Sequence, residues 1–242
     1  MLTANDVLVV VPALNEEKSL QNVLLELHHA GFQTLVVDDG SRDGTADIAR
    51  RSNAALLQLR TNLGVGGALR AGFRFAVQEG FRAAVQIDAD GQHPVAEIDT
   101  LIEESNTANA HMVIGSRFLG AERTMNVNFL RRAVMRLLSI SASRAAGRRI
   151  SDTTSGFRLI RQPLLSEFAE SFPTNYLGDT YEAVVTAGRA GYRIYEVPAR
   201  LVDREHGSSS ASTSQAVTLT IKALAVSLLR VHFRINPAES NR

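Results

Sequence analysis

Five short apolar runs alternating with helix-patterned stretches decide what the first half of this chain can fold into. The runs lie at residues 7–11, 34–38, 55–59, 83–87 and 111–116, and most are rich in valine, isoleucine and leucine. Between them fall a helical pattern that Asn15 can cap and that runs to Ala30, one capped by Ser41 or Asp43 that ends near Arg51, and two more at 66–79 and 95–105. Strand, helix, strand in this order gives a parallel sheet with helices on both faces. Ligands of such sheets bind beyond the carboxyl ends of the strands. Four of the five runs end in polar or glycine-rich turns, at 12–16, 38–44, 62–67 and 88–93, which would line one edge.

The second half is patterned differently. A basic helix is expected at 128–146, a short strand at 155–161, a helix at 178–190 and a strand at 192–199. A Gly/Ser-rich loop at 207–214 then leads into an apolar helix at 215–233, broken by Lys222, Arg230, His232 and Arg234. Its apolar positions 217, 221, 224, 228 and 231 form a helical stripe. That stripe fits packing on the sheet, or a membrane interface or integral-membrane partner. No internal repeat or long linker divides the chain.

The chain has 242 residues, 45% of them apolar and 21% charged, as an ordinary globular protein of one large or two small domains has. It has no cysteine, which excludes structural disulfides and thiolate metal sites. No signal peptide and no transmembrane helix are expected. The net charge of +1 hides an uneven distribution: eight arginines and one acid, Glu122, lie between Arg117 and Arg149. Such a cluster favours an anionic partner, phosphates or a membrane surface. Nucleic acid is not expected, since no basic–aromatic interleaving accompanies it.

The run at 83–87 ends in Asp88-Ala89-Asp90-Gly91-Gln92-His93-Pro94. Residues i and i+2 of a strand point the same way, so Asp88 and Asp90 can aim at one point at its C-terminal end. Two carboxylates and a carboxamide oxygen make half of a site for a hard cation such as Mg²⁺ or Mn²⁺, which a diphosphate can complete. His93 is open to two readings, a metal ligand or, more often for a histidine before proline in a loop, a positioning group. Asp38-Asp39-Gly40-Ser41-Arg42-Asp43-Gly44-Thr45 offers carboxylates to ribose hydroxyls or base N–H groups, and with the neighbouring Pro12-Ala13-Leu14-Asn15-Glu16 reads as a nucleotide pocket. Asn62-Leu63-Gly64-Val65-Gly66-Gly67 lacks the third glycine of a dinucleotide fingerprint, so its glycines are taken as close-approach backbone.

These motifs occur in order with Gly115-Ser116-Arg117, Ser155-Gly156-Phe157-Arg158 and Arg204-x-x-Gly207-x-Ser209. Across roughly residues 5–212 the chain resembles family 2 glycosyltransferases of the GT-A type, most closely the branch of dolichol-phosphate mannose synthase and bacterial polyprenyl-phosphate glycosyltransferases. The resemblance implies an α/β GT-A type fold: a mostly parallel central sheet with helices on both faces, C-terminal acceptor-side elements and an amphipathic helix. Residues 1–212 would form the catalytic domain, with a nucleotide-sugar half at 1–116 and an acceptor half at 117–212, followed by a helix and tail at 213–242.

It also implies roles. Pro12, Leu14, Glu16 and Asp39 would hold the nucleoside, with Asp88 and Ala89 along the nucleotide. Asp90 and Gln92 would hold Mg²⁺ or Mn²⁺ against the diphosphate. Arg117 and Arg131 would bind an acceptor phosphate, Arg204 would close over the diphosphates, and Ser155 would sit near acceptor or sugar. Leu14 stands where the family often has tyrosine, and Ser210 where it often has lysine. The expected reaction is inverting transfer from a nucleotide-sugar to a polyprenyl phosphate, in the cytoplasm at the inner face of the plasma membrane. Transfer to a hydroxyl would need a base, for which Asp179 is the candidate. A non-catalytic nucleotide-binding or membrane-partner module is the third reading, against which the intact 88–92 motif speaks.

Overall fold

β1 (Val7–Ala13) is an interior strand of the sheet, and its alternation builds both layers of the core. Leu8 and Val10 face one side with Leu35, Val37, Phe73 and Ile160, while Val7, Val9 and Val11 face the other with Leu20, Leu27, Val36 and Leu101. The computed structural model describes residues 1–119, 129–173, 179–200 and 235–238, and side chains at 129–134 are outside that description.

Seven strands form one sheet in the order β3-β2-β1-β4-β6-β5-β7. They are β2 (Gln33–Asp38), β3 (Ala55–Gln58), β4 (Ala83–Gln86), β5 (Met112–Ser116), β6 (Arg158–Arg161) and β7 (Ile194–Pro198). All run parallel except β6, which is antiparallel to both β4 and β5. The carboxyl ends of six strands and the amino end of β6 therefore meet at one edge. β6 comes from the expected acceptor half and lies between two strands of the expected donor half, so one sheet carries both.

α1 (Leu20–His29), α2 (Thr45–Arg51) and α4 (Ile98–Thr107) cover one face. α3 (Gly64–Gln78), α5 (Phe129–Ala146), α6 (Leu164–Ser171) and α7 (Asp179–Arg189) cover the other. α3 lies against β1 at Gly72, where a Cβ would collide with Val10 Cγ1. Phe73 of α3 meets Phe172 edge-on at 5.3 Å, and Phe172 meets Phe168 at 5.1 Å. α5 and α7 cross as closely at Gly188, where a Cβ would lie 2.7 Å from the backbone of Ala145. The chain returns at 235–238: Asn236 donates to Glu167 through its backbone N–H (2.9 Å) and Nδ2 (2.7 Å), and the Ala238 N–H donates to Ala190 O at 2.8 Å.

Three expectations are corrected. The first helix begins at Leu20 rather than at a cap on Asn15, because Asn15 sits at φ 57° and its side chain accepts from Arg42 N–H in the next loop. The last strand of the 155–161 run is shorter than expected, because residues 155–157 form a bend stabilised by Ser155. β4 ends at Gln86, so Asp88 and Asp90 lie in a turn and strand alternation does not aim them. α6 was not anticipated. The expected 207–214 loop and 215–233 helix lie outside the described residues.

Candidate active site

The loops after β1 and β2 are sewn into one surface by reciprocal hydrogen bonds. Asn15 N–H donates to Ser41 Oγ (2.9 Å), Glu16 N–H to Thr45 Oγ1 (2.8 Å), and Gly44 N–H to Glu17 Oε2 (2.9 Å). Gly40 takes φ 81°, and a Cβ there would press 3.2 Å from Asn62 N, so this turn abuts the loop before α3. Asp39 links the same two loops: its Oδ1 accepts the Leu63 N–H at 2.7 Å at the start of α3. Burial pushes the Asp39 carboxyl above the usual carboxylate range, with neighbouring Asp38 adding to the effect and the Leu63 and Gly64 N–H groups opposing it. Pro12 and Glu16 are half-buried beside it and Leu14 is exposed. The four residues expected at the nucleoside thus share one patch, with the Glu16 carboxylate already accepting from Ser19 Oγ at 2.8 Å.

The 88–93 turn follows β4 at the same edge. Ala89 is buried, Asp88 and Asp90 are half-buried, and Asp90 Oδ1 accepts the Gln92 N–H at 3.0 Å. That bond ties the Gln92 backbone to the Asp90 carboxylate. The Asp88 carboxylate lies over Gly156, where a Cβ would be 2.8 Å from Oδ2. His93 is buried, stacks on Phe157 at 5.4 Å, and has Nδ1 3.7 Å from Asp88 Oδ2, with no hydrogen-bond partner among the described residues. The donor set is all oxygen, which suits Mg²⁺ or Mn²⁺. Among the described residues no cluster of three His, Cys, Asp or Glu could hold a metal alone.

Arg117 leaves the end of β5 and is held by the loop that leads to Gly156. Its Nε and Nη2 donate to the two oxygens of Asp152 at 2.6 and 2.7 Å, its backbone N–H to Asp152 at 3.1 Å, and Nη2 also to Thr154 Oγ1 at 2.7 Å. Burial works against charge on Arg117, but the Asp152 hydrogen bonds and charge outweigh it, and Asp88 adds to the same field. Burial opposes the charge on Asp152 too, and Arg117 reverses it, holding that carboxyl below its usual range. Ser155 is buried, its hydroxyl donating to Gly115 O (2.6 Å) and accepting from Phe157 N–H (3.2 Å). What it contributes to this edge is the placement of the Gly156 turn.

Beneath the turn lies Arg158, 1% exposed. Its guanidinium donates to Ser155 O (2.7 Å), Thr180 O (2.7 Å) and Thr153 O (3.0 Å). Burial lowers its pKa to about 10, with Asp179 and Asp152 opposing. Asp179, at the first turn of α7, is 2% exposed. Its Oδ1 accepts the Thr180 N–H at 2.6 Å, and its Oδ2 has no hydrogen-bond partner among the described residues. Burial raises its carboxyl to about 6, Thr180 N–H and Arg158 pull it down, and Asp88 pushes it up.

The edge therefore gathers Pro12, Leu14, Glu16, Asp39, Asp88, Ala89, Asp90, Gln92, Arg117 and Ser155, with Asp179 buried behind them. The side chain of Arg131, on the backbone of α5, and the whole of Arg204 lie outside the described residues. Asp152, the buried role of Arg158, and Glu196 of β7, which accepts the Asp152 N–H, were not read from the sequence. The available signal was an ionisable residue inside an apolar run, Phe157-Arg158-Leu159 and Tyr195-Glu196-Val197.

The pattern that defines "Glycosyl transferase family 2" matches residues 8–168. An undecaprenyl-phosphate mannosyltransferase of Micrococcus luteus is 33% identical over 214 residues, covering 85% of this chain and 87% of that one. A polyprenol monophosphomannose synthase of Mycolicibacterium smegmatis is 31% identical over 217 residues, covering 86% and 81%. Among solved structures, the mannosyl-3-phosphoglycerate synthase from Rubrobacter xylanophilus superposes with a TM-score of 0.72 at 16% identity, over 94% of this chain and 77% of that one. At that identity the likeness is one of fold.

Proposed function

The chain belongs to glycosyl transferase family 2 and is a glycosyltransferase, and from that premise we propose that it moves a sugar, with inversion, from a nucleotide-sugar to a polyprenyl phosphate. The observation that carries the reading is that one loop holds both sides: Arg117 is anchored to Asp152 and Thr154, and two residues on, the Asp88 carboxylate lies over Gly156, its charge acting on Arg117. One side is anionic and suited to a metal-bound diphosphate, and the other is a guanidinium suited to a phosphate acceptor. Full-length relatives named for undecaprenyl phosphate and polyprenol support the same acceptor class.

Pro12, Leu14, Glu16 and Asp39 bind the nucleoside, and Asp88 and Ala89 align the nucleotide. Asp90 and Gln92 hold Mg²⁺ or Mn²⁺, which when bound supplies Lewis-acid neutralisation of charge on the leaving diphosphate. Arg117, with Arg131, orients the acceptor phosphate, and Arg204 closes over the diphosphates. Ser155 fixes the turn between donor and acceptor sides. A phosphate oxygen is already ionised at neutral pH, so its attack on the anomeric carbon requires no strong base.

A membrane surface is the proposed meeting place with the acceptor. Among the described residues no helix is long and apolar enough to cross a membrane. The outward face of α5 carries Arg136, Leu137, Ile140 and Arg144, with Arg148 and Arg149 just beyond and no acid, a mixture suited to anionic headgroups. Flotation with anionic liposomes tests this: the full chain should float, and a chain ending at Ser214 should float less if the 215–233 segment contributes.

The test of the reaction is a donor screen by mass spectrometry, with Mg²⁺ or Mn²⁺, nucleotide-sugars and a short-chain polyprenyl phosphate. Formation of a sugar-phospholipid is expected, and its absence with every donor would sink the reading. Asp179 supports a second reading, transfer to a hydroxyl, because burial brings its carboxyl to about 6, a useful value for a general base. Asp179→Asn separates the two. It should largely spare transfer to phosphate and abolish transfer to a hydroxyl.

A further inference from the structure

The support behind Arg117 extends beyond its fork with Asp152. Glu196 of β7 accepts the Asp152 N–H on Oε1 at 2.7 Å and the Ser151 N–H on Oε2 at 2.8 Å. Ser151 Oγ donates to the same Oε2 at 2.9 Å and lies 2.9 Å from Ser116 Oγ, the residue before Arg117. Both oxygens of one carboxylate are thus committed to the backbone of the loop that carries Asp152. Glu196 is in register with Ile114 on the adjacent β5, two residues before Ser116. The clamp and the strand that delivers Arg117 are direct neighbours. A glutamine could not repeat these contacts, since its amide group would turn a donor toward one of the two N–H groups.

We infer that Glu196 is a positioning residue, which through Asp152 sets where Arg117 presents its guanidinium to an anionic oxygen of the acceptor. The inference rests on the acceptor role proposed for Arg117 in one respect only: the positioning is a property of the free protein, and the acceptor is what it serves. A merely structural clamp would stabilise the fold and affect both substrates alike. A positioning clamp acts on one of them.

The experiment reads the two levels separately on the full-length chain. With ¹⁵N-labelled arginine, the Nε–H of Arg117 is identified by its loss in Arg117→Lys. It should be protected from exchange in the wild type and lose about tenfold protection in Glu196→Gln, the scale of one charge-assisted hydrogen bond. The KM for a short-chain polyprenyl phosphate should rise about tenfold in Glu196→Gln while the KM for the nucleotide-sugar stays within about twofold. Glu196→Asp keeps the charge but reaches one methylene less far, so both readouts should fall between; if Glu196→Gln does not fold, Glu196→Asp alone carries the comparison. An unmoved Arg117 resonance overturns the inference, as does a parallel rise of both KM values. A resonance that moves without any change in acceptor KM supports the positioning and instead removes Arg117 from acceptor binding.

Discussion

At the scale of single residues, Gly156 and Asp179 make opposite kinds of demand on their surroundings. Gly156 is required for its emptiness: an added methyl would meet Asp88 Oδ2 at 2.8 Å, and the carboxylate would swing away because it is the movable partner. Gly156→Ala should therefore lower kcat/KM by about tenfold or more while the thermal midpoint changes little, a pairing that kinetics and calorimetry on the same sample can check. Asp179 is charged where burial resists charge. Its folded carboxyl titrates near 6, above the unfolded value, so its contribution to stability is fully present at low pH and is lost as pH rises through 6. His111 has the reverse sign: burial, with Arg193 and Arg161, lowers it to about 4, so its contribution is lost as pH falls. In Asp179→Asn the first dependence disappears. Urea midpoints should show the variant gaining on the wild type by on the order of 2 kcal/mol between pH 4 and 7, and a gap independent of pH would refute the assignment. The 88–93 turn could be singled out in the sequence because its residues are contiguous. The Arg117–Asp152 fork could not, because its partners are 35 positions apart, and Arg158 could not, because an arginine is rarely buried whole.

At the scale of elements, what could be read was what periodicity encodes. β1 and β2 stand out as β-branched runs, and α3 as an apolar stripe on Leu69, Phe73 and Ala76. α6 escaped because it spans only eight residues and follows directly on Pro163. The late start of α1 escaped because hydrogen bonds to a different loop, not local propensity, hold Asn15 and Glu16 out of the helix. The antiparallel direction of β6 has no signature in its own four residues at all. The crossing of α5 over α7 depends on a single missing side chain. Gly188→Ala forces a methyl to within 2.7 Å of the Ala145 backbone, which cannot swing aside as a carboxylate can. It should cost about 1–3 kcal/mol in urea unfolding at pH 7, and its effect on kcat/KM should be smaller than that of Gly156→Ala.

At the scale of the whole molecule, the order β4-β6-β5 means that β5 touches the rest of the sheet only through β6 and β7, both later in sequence. A fragment ending at Ser116 should consequently show no cooperative thermal transition by circular dichroism, although it holds every strand expected for a nucleotide-binding half. The same order has a consequence for how the protein is made. β5 leaves the ribosome about forty residues before β6 does, an interval of roughly 2–8 s at ordinary synthesis rates. Met112, Val113 and Ile114, wholly buried in the finished sheet, have no strand to lie against during that time. The nascent chain then displays an apolar strand with both hydrogen-bonding edges open, the kind of segment that chaperones hold and that neighbouring chains on a polysome can capture. The strand that carries Arg117 to the site is thus also where the yield of folded protein would depend most on translation speed.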